Sequence, residues 1–159
     1  MPSFRLVGLP PDRFAPLFAL APEELASLGA RRVTATAKPG FPCRVGLADA
    51  EPGEELLLLP FEHQPQDSPY RASGPIYVKA GARRRVLGVG EIPDCVRLRQ
   101  ISLRAYDGEH MIVGAEVCAG DAVGAEIERQ FADSRVSYIH LHNAKRGCFS
   151  CLVERVRLG

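Results

Sequence analysis

The sequence contains no tryptophan, and only 7% of its 159 residues are aromatic. It also lacks an excess of charge of one sign, because its formal net charge is only +1 at pH 7. Proteins that bind nucleic acid usually present a basic surface, and many stack bases on aromatic side chains. We therefore expect no nucleic-acid partner. No apolar run reaches the roughly 18 to 20 residues of a membrane-spanning helix, so we expect no membrane partner either.

Cysteine is sparse and widely spaced. The five cysteines lie at positions 43, 95, 118, 148 and 151, whereas a secreted protein held by disulfides usually has an even and dense set. Residues 1–5 also lack the basic start and apolar core of a secretion signal. We predict a cytoplasmic protein with reduced thiols. The length favours one domain over residues 1–159, with a core that needs no disulfide or structural metal.

Short apolar and alternating segments outnumber helical ones. Residues 100–118 alternate on either side of an Asp-Gly turn and indicate a β-hairpin. The four leucines at 56–59 indicate a strand that is buried on both faces. Helix signals are clearest in residues 22–29 and in a segment that starts at Asp121 as its N-cap. The pattern predicts an α+β fold, a mainly antiparallel β-sheet with two or three helices packed on it and a C-terminal β-hairpin.

Residues 61–75 show neither a helical nor a strand period. A structureless loop of this length is uncommon in a compact domain and is often functional. It contains His63, Tyr70, Arg71 and Ser73, whose side chains can all bind a ligand. The planar guanidinium of Arg71 suits a carboxylate or a phosphate. The alternative is that Arg71 pairs with an acidic neighbour and that His63 caps backbone groups.

The C-terminal segment 138–151 holds two of the four histidines and two of the five cysteines. We predict a hairpin with a five-residue loop, residues 143–147, which pairs His142 with Cys148. Its apolar face would carry Ile139, Leu141, Phe149, Cys151 and Val153. Its polar face would carry Tyr138, His140, His142, Cys148 and Ser150. This register buries Cys151 in the core and leaves Cys148 beside two histidines.

The polar face of this hairpin is compatible with several functions. His140, His142 and Cys148 could ligate a transition metal such as zinc, and Cys148 could be a nucleophile that His142 activates. The two histidines could equally bind a ligand, or they could be half-buried and satisfied by backbone carbonyls. Because no fourth metal ligand is evident nearby, we expect no cofactor and no metal, with zinc as the alternative.

Several short motifs are distributed over nearly the whole chain. They are KPGFPCR at 38–44, EHQP at 62–65, SPYRASGPI at 68–76, RAYD at 104–107, HLHNA at 140–144 and GCF at 147–149. With these motifs the sequence resembles a bacterial family known as domain of unknown function 1203. The resemblance implies a single full-length domain in a bacterial cytosolic protein. It assigns no activity, substrate, cofactor or catalytic residue.

Our hypothesis is a domain that binds a small anionic molecule where the loop of residues 61–75 meets the polar face of the hairpin. The predicted binding residues are His63, Tyr70, Arg71, Ser73, His142, Asn143 and Arg44, with Cys148 beside them. One alternative is an enzyme that uses the Cys148–His142 pair or a metal-activated water. Another is a structural or protein-interaction module whose hydrophobic and Arg-rich edges form a dimer. We expect a monomer or a homodimer.

Overall fold

Two five-stranded β-sheets contain most of the regular structure in the computed structural model, which describes residues 2–157. The strands are β1 (Ser3–Val7), β2 (Arg31–Thr34), β3 (Pro42–Cys43), β4 (Ala48–Asp49), β5 (Glu55–Gln64), β6 (Ala72–Lys79), β7 (Gln100–Tyr106), β8 (Ile112–Ala119), β9 (Tyr138–Asn143) and β10 (Phe149–Val156). The first sheet has the order β1-β10-β9-β7-β8 and is antiparallel throughout. The second has the order β2-β5-β6-β3-β4, in which β3 and β6 run parallel. The predicted α+β class, with a mainly antiparallel arrangement and a C-terminal hairpin, is confirmed.

The helices are short. They are α1 (Pro22–Ser27), α2 (Asp94–Arg97) and α3 (Val123–Phe131), with 3-10 turns at Pro11–Arg13, Ala15–Ala19 and Gly120–Ala122. The predicted helix start at Pro22 and stop at Gly29 are confirmed, and Gly29 has the positive φ of 74° that a helix end favours. The predicted N-cap at Asp121 is wrong, because Asp121 lies inside a 3-10 turn that leads into α3. No helix in the described part of the chain is long and apolar enough to cross a membrane.

The first hydrophobic core lies between the first sheet and α3. The buried face of α3, which contains Val123, Ile127 and Phe131, packs against β1, β7 and β8. From the C-terminal hairpin this core receives Ile139, Leu141, Cys151 and Val153. These four residues were predicted on the apolar face of the hairpin, and that prediction is confirmed. The thiol of Cys151 is therefore a core group rather than a reactive one.

A second core lies on the second sheet. It contains residues of β5 and β6 together with Phe14 and Leu25, which belong to the helical segment that precedes β2. Phe149 of β10 joins this core, although we predicted it on the face of Ile139. The prediction is wrong because the hairpin contains an irregularity between Phe149 and Cys151. Phe149 pairs with His142, whereas Cys151 pairs with Leu141. The register therefore shifts between them, and the side chain of Phe149 lies on the other face of the hairpin.

The predicted long loop of residues 61–75 is also wrong. Strand β5 continues to Gln64 and β6 begins at Ala72, so only residues 65–71 connect the two strands. The pairing passes through Pro60 and Pro75, and its register shifts between Phe61 and Gln64. Prolines and a register shift break the alternation that identifies a strand, which explains why this part of β5 has no visible period. The consequence is that His63 sits on a strand and faces the first sheet.

Candidate functional site

Three of the four histidines meet where the end of β5 approaches the C-terminal hairpin. His63 comes from β5, and His140 and His142 come from β9, where residues two apart point to the same side. One ring nitrogen from each of the three lies within 4.8 Å of the others. The ring centres of His63 and His142 are 4.9 Å apart. We call this group the histidine cluster.

Three buried ring nitrogens of the cluster have no hydrogen-bond partner. The Nδ1 atom of His142 lies 3.1 Å from the carbonyl oxygen of Gly147. Because a carbonyl only accepts, Nδ1 must carry the proton, and Nε2 presents its lone pair. This Nε2 atom, Nδ1 of His63 and Nδ1 of His140 are all buried and unpartnered. A buried polar atom without a partner is unfavourable, so these three nitrogens are available to bind a ligand or an ion.

Burial keeps the histidine cluster neutral. It lowers the pKa of His140 to about 3, with the nearby His142, His63 and Arg104 acting in the same direction. Burial also lowers the pKa of His142 to about 3, again helped by Arg104. The pKa of His63 is lowered by burial and by Arg104 as well. All three rings are therefore uncharged near neutral pH, which is the form that ligates metals.

The cluster opens on one side to a cleft of about 600 Å³, here called the histidine cleft. His63 and His140 line this cleft, whereas His142 is fully buried behind them. Phe149 does not line this cleft, but it packs against all three rings and stacks on His63 with an interplanar angle of 6°. At the cleft, the hydroxyl of Tyr138 accepts a hydrogen bond from Nε2 of Gln64 at 3.0 Å.

A second polar group lies on the other side of the hairpin end. Arg44, which follows β3, is only 2% exposed. Its Nε donates to the carbonyl oxygen of Phe149 at 2.8 Å, its Nη1 to that of Pro42 at 2.6 Å, and its Nη2 to Sγ of Cys148 at 3.1 Å. The pKa of Arg44 is lowered by burial, an effect that the nearby Cys148 opposes. The guanidinium is thus fixed in position by backbone groups from two parts of the fold.

Arg44, Pro42 and Cys148 line a cleft of about 440 Å³, here called the arginine cleft. Four of the side chains that line it are cationic, namely Arg44, Arg99, Lys145 and Arg146, and none is an aspartate or a glutamate. The charge of Arg99 is neutralised by Asp49, whose two carboxylate oxygens accept hydrogen bonds from its guanidinium at 2.7 and 2.9 Å. Asn143 also lines the cleft, and its buried Oδ1 has no partner.

The structure divides the predicted site residues into three groups. His63 joins His140 and His142, while Arg44, Asn143 and Cys148 line the arginine cleft. Tyr70, Arg71 and Ser73 enter neither group. Arg71 pairs with Glu62 at 3.0 Å, as the alternative interpretation held, Tyr70 lies against Tyr106, and Ser73 is exposed on β6.

The Cys148–His142 pair does not form a hydrogen bond. His142 bonds to the carbonyl of Gly147, and Cys148 accepts from Arg44, with Nδ2 of Asn143 at 3.7 Å. Cys148 is likewise outside the set of three nitrogens that could share a metal ion. The geometry therefore favours neither the nucleophilic pair nor the metal site of His140, His142 and Cys148 that we considered from the sequence.

Two cations of the site had no role in the sequence analysis. Arg104, on β7, pairs with His140 on β9 and acts on all three histidines. Its position on the polar face of an alternating strand is a signal that could have identified it. Arg99 lies between α2 and β7, and nothing in its local sequence indicates that it reaches the arginine cleft.

Residues 40–155 match a family model described as Protein of unknown function (DUF1203). The match covers more than half of the chain and shows that the chain belongs to this family, in agreement with the motifs found in the sequence. No curated protein and no solved structure matches the chain. The family description gives no function.

Proposed function

We propose that this member of the DUF1203 family binds a small anionic molecule in the arginine cleft. The observation that carries the proposal is the buried guanidinium of Arg44, which forms no ion pair with a carboxylate of residues 2–157. A buried charge without a counterion is strongly unfavourable. An anion in the cleft would supply that counterion.

The chemistry of the cleft narrows the class of ligand. Guanidinium groups bind carboxylates and phosphates through paired hydrogen bonds. The unpartnered Oδ1 of Asn143 is an acceptor, so a complementary ligand also carries an N–H or O–H donor. A volume of about 440 Å³ suits a small molecule rather than a polymer. The proposed ligand class is therefore a small hydroxycarboxylate, amino acid or hydrogen phosphate ester.

The hairpin tip adds two further cations. Lys145 and Arg146 are exposed at the cleft and form no ion pair within the described residues. Exposed charges attract an anion at long range and are screened by salt. We expect them to raise the affinity for an anion, and we expect that contribution to decline as ionic strength increases.

Isothermal titration calorimetry with inorganic phosphate, glycerol 3-phosphate and lactate tests the proposal. The test variant is Lys145→Gln/Arg146→Gln, and the matched control is Arg31→Gln/Arg83→Gln, which removes two exposed charges away from the cleft. We expect saturable binding of at least one probe, about tenfold weaker in the test variant and little changed in the control. Absence of binding by all three probes, or equal loss in both variants, would contradict it.

A cytoplasmic location is part of the same proposal. All five cysteines are free, which agrees with a reducing compartment, where small anionic metabolites are abundant. Fractionation of the native host, with the protein detected by antibody, tests this location. Recovery in a secreted or envelope fraction would count against it.

A further inference from the structure

We infer that His63, His140 and His142 form a binding site for a divalent transition metal, with zinc as the best-fitting ion. The inference rests on geometry that the proposed anion site does not use. Three ring nitrogens lie within 4.8 Å of one another. The buried and unpartnered side-chain nitrogens in this region belong to the same three rings.

The spacing is close to that of a zinc site. Zinc holds imidazole nitrogens at about 2.0–2.1 Å in a tetrahedron, which places the nitrogens about 3.3 Å apart. Rings whose nitrogens already lie within 4.8 Å reach that geometry with movements of about 1 Å or less. His63 is partly exposed and lies in β5 where the register shifts between Phe61 and Gln64, so it is the ring of the three that is least enclosed.

The tautomer of His142 is already the one that a metal needs. Its Nδ1–H donates to the carbonyl oxygen of Gly147, so the lone pair is on Nε2, which is buried and unpartnered. A metal-bound histidine commonly donates its second ring N–H to a carbonyl or carboxylate, which fixes the orientation of the ring. Gly147 fills this role, and its positive φ of 76° shapes the hairpin end that presents the carbonyl.

The donor set selects the class of metal. Three imidazoles suit zinc, copper, nickel or cobalt, whereas magnesium and calcium require oxygen ligands. Within the described residues no aspartate, glutamate or cysteine joins the three histidines as a fourth ligand. Three protein ligands with one position left open are typical of catalytic rather than structural zinc sites.

The open position faces the histidine cleft. His63 and His140 line this cleft while His142 lies behind them, so a bound ion would be reached from the cleft side. Arg104 adds positive charge near all three rings and opposes a cation. A site with three neutral ligands and a neighbouring arginine therefore favours an anionic fourth ligand, such as hydroxide or a small carboxylate.

Metal titration of the full chain tests the inference. The purified protein is stripped with a chelator and titrated with Zn²⁺ in competition with a chromophoric chelator, and with Co²⁺ by visible spectroscopy. We expect one equivalent of zinc per chain and the intense visible absorption of four-coordinate cobalt. His63→Gln and His142→Gln should each weaken zinc binding at least tenfold. His110→Gln is the control. His110 lines the same cleft beside Tyr138 but is not one of the three histidines whose nitrogens converge, so its replacement should change the affinity little.

The outcomes separate this inference from the anion proposal. If a cluster variant fails to fold, X-ray absorption of the zinc-loaded wild type decides, since three imidazole ligands are expected in its spectrum. Binding of less than one equivalent, equal loss in His110→Gln, or a spectrum without imidazole would overturn the metal site. The Lys145→Gln/Arg146→Gln variant should retain full zinc affinity, and failure of phosphate binding would leave the zinc result unaffected.

Discussion

Arg44 donates a hydrogen bond from Nη2 to Sγ of Cys148 across 3.1 Å, and this contact joins the turn after β3 to the end of the C-terminal hairpin. The same guanidinium binds the carbonyl oxygen of the next residue, Phe149. Phe149 in turn stacks on His63 of the histidine cluster. One buried cation thus holds the backbone of the residue that packs against the histidine cluster.

The setting of Cys148 leads to a prediction about its reaction with charged reagents. Cys148 is partly exposed in a cleft lined by four cations. Cys118 is also partly exposed, but burial and the nearby Glu126, Glu116 and Asp121 raise its pKa. We expect Cys148 to react with iodoacetate, relative to neutral iodoacetamide, about tenfold more favourably than Cys118 does. Peptide mass spectrometry after short labelling measures both ratios within one sample.

Two buried thiols, those of Cys95 and Cys151, should not interfere with that labelling experiment. Burial raises the pKa of Cys95 to about 11 and also raises the pKa of the fully buried Cys151, so neither should label in the folded protein. Lys145→Gln/Arg146→Gln should reduce the preference of Cys148 for iodoacetate. An equal reagent ratio at Cys148 and Cys118 in the wild type would show that the cleft does not attract anions.

Replacement of Arg44 should destabilise the fold. In Arg44→Met the carbonyl oxygens of Phe149 and Pro42 lose their donor, although removal of a buried charge offsets part of the loss. We expect the free energy of unfolding to fall by about 2–4 kcal/mol. Urea unfolding measures it, with Arg83→Met as the exposed control that should change stability by less than about 0.5 kcal/mol. Equal stability of the two variants would mean that the guanidinium does not hold the hairpin.

The histidine cluster should make the chelator-treated protein sensitive to weak acid. His140 and His142 have a pKa of about 3 in the folded chain and 6.5 as an ordinary value, so between these pH values the unfolded chain binds more protons. The free energy of unfolding should therefore fall as pH drops below 6.5, by up to about 1.4 kcal/mol per pH unit for each ring. The groups that face these rings, His63, Arg104 and Arg44, also disfavour protonation.

Urea unfolding at pH 7, 6 and 5 measures this dependence in a range above the titration of ordinary carboxylates. The variant His140→Gln/His142→Gln should have a clearly flatter profile than the wild type. The exposed Arg83→Gln serves as the control and should keep the wild-type slope, because arginine does not titrate in this range. A double variant with the wild-type slope would show that other groups cause the acid sensitivity.

The fold class was predictable because periodicity and turns are local signals. The hairpin of residues 100–118, the helix at Pro22 and the burial of Cys151 all follow from alternation, helix-start residues and apolar faces, and the structure confirms them. Where proline or a bulge interrupts alternation, the same method fails. The predictions for the end of β5 and for the face on which Phe149 lies were wrong for that reason.

The two clefts could be predicted only in part. Residues two apart on β9 place His140 and His142 together, which the sequence indicates. His63 joins them only because β5 extends beyond Pro60 and its end meets the other sheet, which is a tertiary event. Asp49 and Arg99 likewise meet across the fold. A single sequence carries no signal for such contacts, so the sequence analysis placed the candidate residues in one site, whereas the structure distributes them over two clefts.

Gly120 provides a sharp test of the packing that holds Arg99 in place. A Cβ at this position would lie 2.1 Å from the carbonyl oxygen of Val96 and 2.6 Å from those of Arg97 and Arg99, so the backbone around α2 would have to move. We expect Gly120→Ala to lower the free energy of unfolding by about 1–3 kcal/mol or more. We also expect it to weaken anion binding, because the segment that carries Arg99 would shift.

The matched control lies four residues further along the chain. A Cβ at Gly124, in α3, would make ordinary contacts of 3.8 Å with Ile92 and 3.9 Å with Phe4. Because alanine favours a helix over glycine, Gly124→Ala should raise the free energy of unfolding by about 0.5–1 kcal/mol. Thermal unfolding should therefore shift in opposite directions for the two substitutions, and a shift of the same sign would contradict the close approach of Gly120 to α2.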